Sequence, residues 1–318
     1  PADTVILKPN WVLESHIEKK DDWEYIITHS TMMTVVIYKV INKLGRRGKI
    51  IIADSPETDA NFKKILSRYP IDEWKKKAKD KSIELEIIDL RDDEWVKKDG
   101  VIVERKKLPG DPLGKTEVNL KYDESEFHEH KKSKRGYYGS DYNISETNEA
   151  HNGKQNIYRV SKSVLSADVF INLPKLKTHK KGGITCCLKN LVGINTYKNY
   201  LPHHSEGSPG EGGDQFNADG INSKIEGPII ALLKKRLLVN TKLAKILYRF
   251  KKIGELVFGK TNKIIRSGNW HGNDTLWRMV LDLNKILFYS NTDGTMNKLK
   301  IKKYIGIVDG ILSGEGNG

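Results

Sequence analysis

The run Ile171-Asn-Leu-Pro-Lys-Leu-Lys-Thr-His-Lys-Lys-Gly-Gly-Ile-Thr-Cys-Cys-Leu-Lys-Asn-Leu-Val-Gly-Ile194 decides how this chain is read. A short apolar segment, Asp168–Leu173, has the length and composition of a strand and meets Pro174, which cannot continue a central ladder. Lys175, Lys177, Thr178, His179, Lys180 and Lys181 follow, then Gly182-Gly183, then an apolar helix-like segment over Ile184–Val192. A strand that stops at clustered donors and glycines ahead of a helix makes an anion-receptive edge. The glycines allow close backbone approach to a ligand, and the lysines supply charge for phosphate or carboxylate.

Outward from this run, short apolar segments read as strands at Thr4–Leu7, Lys49–Ala53, Glu84–Asp89, Val101–Arg105, Asn156–Val160 and Tyr304–Val308. Continuous rather than alternating apolar character is what strands covered on both faces show. Helical patterns fall at Thr31–Leu44, Thr58–Arg68, Asp72–Lys79, Lys162–Leu165, Pro228–Leu238, Lys242–Phe258 and Asp274–Leu287. Ser30 or Thr31 is placed to cap the first, and Asn273 or Asp274 the last. The alternation predicts an α/β layered domain over 1–318, with a mostly parallel or mixed sheet flanked by helices. Two stretches interrupt it. A polar excursion or hairpin extension covers about 106–155, and a Gly/Ser/His-rich mobile loop at 202–227 leads a basic helical insertion that ends near 266. Pro9-Asn10, Asp54-Ser-Pro56, Pro174-Lys175 and Asp309-Gly310 all follow strands, and ligands collect at carboxyl ends of parallel strands. If those strands are neighbours, the four fragments converge.

The chain of 318 residues is 37% apolar, 30% charged and carries a net charge of +14. That balance points to anionic partners and does not choose among metabolites, glycans, nucleic acid and a lipid surface. Cys186 and Cys187 are the only cysteines, and adjacent cysteines rarely pair. With no Cys-x-x-Cys, neither a zinc ribbon nor an iron–sulfur cluster is expected within these residues. A reducing, cytoplasmic setting is the simplest expectation. No apolar run approaches the roughly 20 residues of a membrane-spanning helix, and no signal-peptide core stands at the start. The glycine-rich finish, Gly314–Gly318, suggests that native sequence continues past it.

Asn172–His179 with Gly183-Ile-Thr and Leu188–Gly193 resembles the signature of domain-of-unknown-function family 362. Leu7-Lys-Pro-Asn10, Ala53-Asp-Ser-Pro56 and Asp309–Gly318 are similar to its opening, second acidic and closing motifs. The resemblance implies an α/β fold and assigns no activity. It gives added weight to Lys175, Lys177, Thr178, Gly182 and Gly183 as substrate ligands, with Lys189 and Asn190 on the next helix either facing the same cleft or lying on an ordinary exposed face.

Lys8 is placed to add a cation to this edge, and Asn10 either orients substrate or forms a turn. His29 precedes a helix, where it either joins the site or caps. His179, Asp54 and Glu315 are the candidate acid–base groups, and Asp54, Asp309 and Glu315 the candidate ligands of a divalent metal. His29, His179, His203, His204 and His271 lack the spacing of a transition-metal site. Asn269–Arg278, with Trp270 and Trp277, reads either as a stacking platform that brings His271 or Arg278 to the substrate or as core beside a capped helix. The leading functional expectation is an enzyme acting on an anionic small molecule or glycan, with no cofactor identified. The alternatives are a nucleic-acid-binding module and a peripheral membrane or scaffold protein that uses the basic amphipathic stretch 228–260.

Overall fold

The computed structural model describes residues 3–16, 19, 21–98, 101–130, 133–141, 143–220 and 267–316, together with Lys242 and Ile246. Its centre is a five-stranded sheet in the order Lys303–Gly306, Val169–Leu173, Thr4–Pro9, Lys49–Asp54, Glu84–Asp89. Every pairing in it is parallel. Along the chain the first three strands run outward in one direction, and the fourth returns to the other side of the first. That doubly wound order opens a crevice beyond the carboxyl ends of Thr4–Pro9 and Val169–Leu173.

Strand periodicity explains why this sheet is buried on both sides. Val5 and Leu7, Ile50 and Ile52, and Ile171 and Leu173 point into one core with Met33, Ile37 and Ile41 of helix Ser30–Leu44 and Trp74 of helix Ile71–Lys79. Ile6, Ile51, Ala53 and Phe170 point into a second core with Met279, Leu283 and Ile286 of helix Leu276–Tyr289. Successive residues face opposite layers, so strands sandwiched this way carry unbroken apolar runs.

Several sequence expectations change. The polar excursion folds back as a layer: Lys115–Lys121 pairs antiparallel with Gln155–Ser161, and Val118, Leu120, Phe127 and Tyr137 join the second core. Its polar composition hid this strand, because the outward residues are Lys115, Glu117, Asn119 and Lys121 and only Val118 and Leu120 are apolar. Val101–Lys107 pairs with Asp93–Lys98 in a separate antiparallel ribbon. Residues 202–220 are ordered: Pro202–Ser205 pairs with Tyr137–Gly139, and buried Asp214 accepts from Ser205 N, Asp274 N and Thr275 N. The helix expected over Ile184–Val192 is a short strand, Gly183–Thr185, followed by one helical turn, Cys187–Asn190, and a 3-10 turn, Leu191–Ile194. Gly183 has φ +71°, which turns the chain back on Lys175–His179 instead of opening a helix. His29, not Ser30 or Thr31, caps helix Ser30–Leu44, while Asn273 Oδ1 accepts from Leu276 N at the start of the last helix. The helices expected at Pro228–Leu238 and Lys242–Phe258, with the membrane-surface reading of 228–260, lie outside the described residues, as do Asn317 and Gly318. Among the described residues no helix is long and apolar enough to cross a membrane.

Candidate functional site

A cavity of about 220 Å³ opens at the carboxyl end of the sheet, beside the crevice. Its walls come from five places: Lys8, Asn10 and Val12 at and just past the end of the first strand, Asp54, Ser55 and Glu57 at and just past the end of the second, Ser140, residues between Lys177 and Gly193 of the central run, and Lys198, Leu201 and His203 beyond it. Five lysines meet two carboxylates there.

Lys8 sits in the strand register where Ile6 and the second core would call for an aliphatic residue, and it is 1% exposed. A buried ammonium needs partners, and its Nζ donates to Asp54 Oδ1 at 2.7 Å, Pro9 O at 2.8 Å and Asn190 Oδ1 at 3.4 Å. Burial still pushes Lys8 below the usual lysine range, against the pull of Asp54. Asp54 is equally engaged: Oδ1 also accepts from Ser55 N at 2.8 Å, and Oδ2 accepts from Trp11 N at 2.7 Å. With these donors around it, Asp54 anchors Lys8 and is not poised as a free base. Gly193 must be glycine here. A Cβ would lie 1.9 Å from Asp54 Oδ1 and 2.7 Å from Lys8 Nζ.

The basic strand Lys175–His179 divides by period two. Lys175, Lys177 and His179 point inward, while Thr178 is exposed. Lys175 and Asp309 pair at 2.7 Å with both side chains fully buried, and Asp309 Oδ2 also accepts from His29 N. Lys175 therefore serves the fold and does not line the cavity. Lys177 lines it, donating to Ile26 O at 3.2 Å. Burial, then the charge of Lys189, push Lys177 down to about 7 despite Glu57. Lys189 is pushed down to about 8 by burial, with Glu57 opposing and Lys198 and Lys8 assisting. Lys198, also lowered by burial, donates to Ser55 O at 2.6 Å.

His179 Nδ1 accepts from Lys181 N at 3.2 Å and Gly182 N at 3.1 Å, which leaves the ring proton on Nε2. Burial and the charges of Lys189, Lys181 and Lys177 hold its pKa down to about 3. At neutral pH it is a neutral imidazole with an N–H donor on Nε2. His203 is the opposite tautomer. Its Nδ1–H donates to Leu201 O at 2.8 Å and leaves Nε2 an acceptor, and burial with Lys181 and Lys189 keeps it neutral. Ser55 Oγ and Thr185 Oγ1, both on the cavity wall, are buried without a hydrogen-bond partner among the described residues. Unpaired buried hydroxyls on a cationic wall fit ligand oxygens.

The remaining sequence candidates stand elsewhere. Glu315 pairs in register with exposed Thr178 and is itself exposed, on the solvent face of that ribbon. His29 caps its helix through Nδ1, and its Nε2 meets Glu24 at 3.0 Å. Gly182 and Gly183 shape the turn, with Gly182 N spent on His179. His271 is exposed against Trp270 and Arg278 pairs with Asp274 at 3.1 Å. Neither lines the cavity, and their block acts at one remove, since Asn273 Nδ2 holds His203 O at 3.0 Å. Lys189 and Asn190 do line it. Asp54, Asp309 and Glu315 do not converge, and among the described residues no three His, Cys, Asp or Glu side chains form a metal-binding group. With Asp54 and Asp309 already paired to lysines, this donor set does not fit a divalent ion.

Ser55, Glu57, Thr185 and Lys198 line the cavity without having been singled out as site residues by the sequence, while Lys181 belongs to the basic run read as anion-receptive and His203 was weighed only as a metal ligand. Lys198 and His203 lie five and ten positions past Gly193, too close along the chain to travel far from the motif. That proximity was the available signal.

No curated protein matches the chain. A solved structure of a Thermotoga maritima protein from a structural genomics consortium is similar at 10% identity and a TM-score of 0.30, over 63% of this chain and 36% of that one. This chain thus spans about a third of that protein's length. The family described as Domain of unknown function (DUF362) matches residues 134–318, which hold the basic strand, Lys189, Lys198, His203 and the Asp309 segment. With more than half of its length matched, the chain belongs to the DUF362 family.

Proposed function

We propose that the cavity is the active site of an enzyme that acts on a small anionic substrate bearing phosphate or carboxylate groups. The observation that carries this reading is the gathering of Lys8, Lys177, Lys181, Lys189 and Lys198 around a volume of about 220 Å³. Like charges buried together oppose folding unless something else gains by them, and strongly lowered lysine pKa values cluster at functional sites. Lys177 at about 7 and Lys189 at about 8 are displaced in the direction that an entering anion would reverse. His179 Nε2–H and the hydroxyls of Ser55 and Thr185 add neutral donors for substrate oxygens. A nucleic-acid strand is less well supported, because among the described residues these cations gather around a single pocket of about 220 Å³, and non-specific strand binding uses a groove that tracks several nucleotides of backbone.

The test is thermal unfolding of the full chain with phosphate, pyrophosphate, malonate or citrate against chloride at matched ionic strength. A ligand at a hundredfold excess over its Kd stabilises by about 2.7 kcal/mol. Lys177→Met is expected to abolish most of that gain. Equal melting in all five anions would remove the proposal.

A further inference from the structure

Four of the five cavity lysines are tied to the protein. Lys8 holds Asp54, Lys177 donates to Ile26 O, Lys181 to Ser267 O, and Lys198 to Ser55 O. Lys189 differs: among the described residues its amine has no hydrogen-bond or ion-pair partner. The turn that carries it is nonetheless held from several sides. Asn172 Nδ2 donates to Cys187 O at 2.8 Å, Asn284 Nδ2 to Leu188 O at 3.0 Å, and Asn190 Nδ2 to Asn172 Oδ1 at 2.7 Å. Side-chain amides hold the carbonyls of the two residues before Lys189 and the side chain of the residue after it, and leave its Nζ uncommitted. This is the arrangement of a positioned nucleophile: rigid base, free tip, cationic neighbours.

Three further groups suit a carbonyl compound. His179 offers a neutral Nε2–H to a carbonyl oxygen, and Thr185 and Ser55 offer hydroxyls that have no partner. We propose that Lys189 is a nucleophile that forms an imine with the carbonyl carbon of a small oxo acid, whose anionic group is held by Lys177 and Lys198. This rests on the anionic-substrate reading and narrows it to a carbonyl-bearing class. In the first step the Nζ lone pair attacks the carbonyl carbon, and the C=O π pair moves to oxygen, which takes up a proton. In the second step the carbinolamine loses that oxygen as water, nitrogen gives up its remaining proton, and C=N forms. One water leaves and nothing is oxidised or reduced. Burial beside Lys198 and Lys8 keeps part of Lys189 in the free-base form that attack requires.

The experiment uses the full chain with pyruvate or glyoxylate at mildly alkaline pH, reduction by sodium cyanoborohydride, and mapping of the modified peptides by mass spectrometry. The expected result is labelling at Lys189 roughly tenfold or more above exposed Lys180, suppressed by excess malonate, which has anionic groups and no ketone or aldehyde. Lys189→Arg should lose that label while the labelling of exposed Lys180 stays as in the parent. The malonate protection is read on the unmodified sequence and needs no variant to fold. Labelling spread evenly over surface lysines, or none at Lys189, with malonate still stabilising the protein, overturns the nucleophile and leaves the anion cleft standing. If no anion stabilises the protein and no label reaches Lys189, both readings fall.

Discussion

Lys175 and Lys177 are two residues apart on one strand, face the same way, and have opposite fates. Lys175 is sealed against Asp309 with neither side chain exposed. Lys177 opens on a cavity shared with Lys189 and Lys198, where burial pushes it down to about 7. The first region spends its charge on holding the closing strand Asp309–Glu315 against the basic strand. The second leaves positive charge incompletely balanced, at a cost to folding. A basic motif can therefore contain a structural pin and a functional group side by side, and the register of the partner strand, with Lys175 opposite Asp309, separates them.

The sharpest way to break this comparison is to remove one carboxylate. Asp309→Ala would strand the Lys175 ammonium in a site closed to bulk solvent, and removing one partner of a buried pair costs about 3–5 kcal/mol. Equilibrium unfolding in urea should show that loss, while Lys177→Met, which removes a buried charge, should leave stability unchanged or raise it. Equal losses in the two variants would mean that both lysines are structural. Next in size is Gly193→Ala, whose Cβ would stand 1.9 Å from Asp54 Oδ1. Overpacking of this kind costs about 1–3 kcal/mol, and separation of the Lys8–Asp54 pair would add to it. A melting temperature equal to that of the parent would show that the Lys8–Asp54 anchor yields without penalty.

Much of this was legible from residue order. Apolar runs such as Ile50–Ala53 announced doubly covered strands, and the positions after them, Asn10 and Asp54, do stand at the cavity. What the chain order withheld was direction. Nothing in Lys-Leu-Lys-Thr-His says which lysine meets a carboxylate from 134 residues away, because that depends on the parallel pairing with Asp309–Glu315. The composition of Lys175–Lys181 does not separate Thr178 from its neighbours, because alternation along the strand, which turns it outward, has no apolar signal in so basic a run. The ordinary pKa of histidine suggests a proton carrier at His179, and only burial beside Lys189 and Lys181 shows that its imidazole stays neutral.

Alkaline pH offers a subtler probe of the same contrast. In the unfolded chain a lysine keeps its proton to about pH 10. In the folded, unliganded protein Lys177 loses its proton near 7 and Lys189 near 8, so between those values and about 10 the unfolded state binds more protons. Stability should therefore rise with pH across that window, by up to about 1.4 kcal/mol per pH unit for each such group. Lys302, lowered to about 8 by burial, adds to the rise. Above about pH 10 the buried phenols of Tyr69 and Tyr158, held protonated by the fold, reverse the trend. Saturating anion should flatten the rise by keeping Lys177 and Lys189 charged, and Lys177→Met should flatten part of it. A pH profile that falls steadily from 7 to 10 would contradict the burial of these amines.

The smallest effect is expected on the outer face of the same ribbon. Thr178 and Glu315 are register partners, both exposed, on the side of the strand opposite Lys177. Thr178→Ala and Glu315→Gln should each change stability by less than about 0.5 kcal/mol, as ordinary surface substitutions do. Neither should alter the thermal response to phosphate or malonate, whereas Lys177→Met, one position from Thr178, should remove most of it. Glu315→Gln is the more demanding of the two, because it deletes a carboxylate from a strand that also bears Asp309. If it matched Asp309→Ala in stability, the outer face would carry structural charge as the inner face does. If it reduced the anion response as Lys177→Met does, the cavity would extend around the ribbon's edge, and period-two alternation would no longer divide the motif.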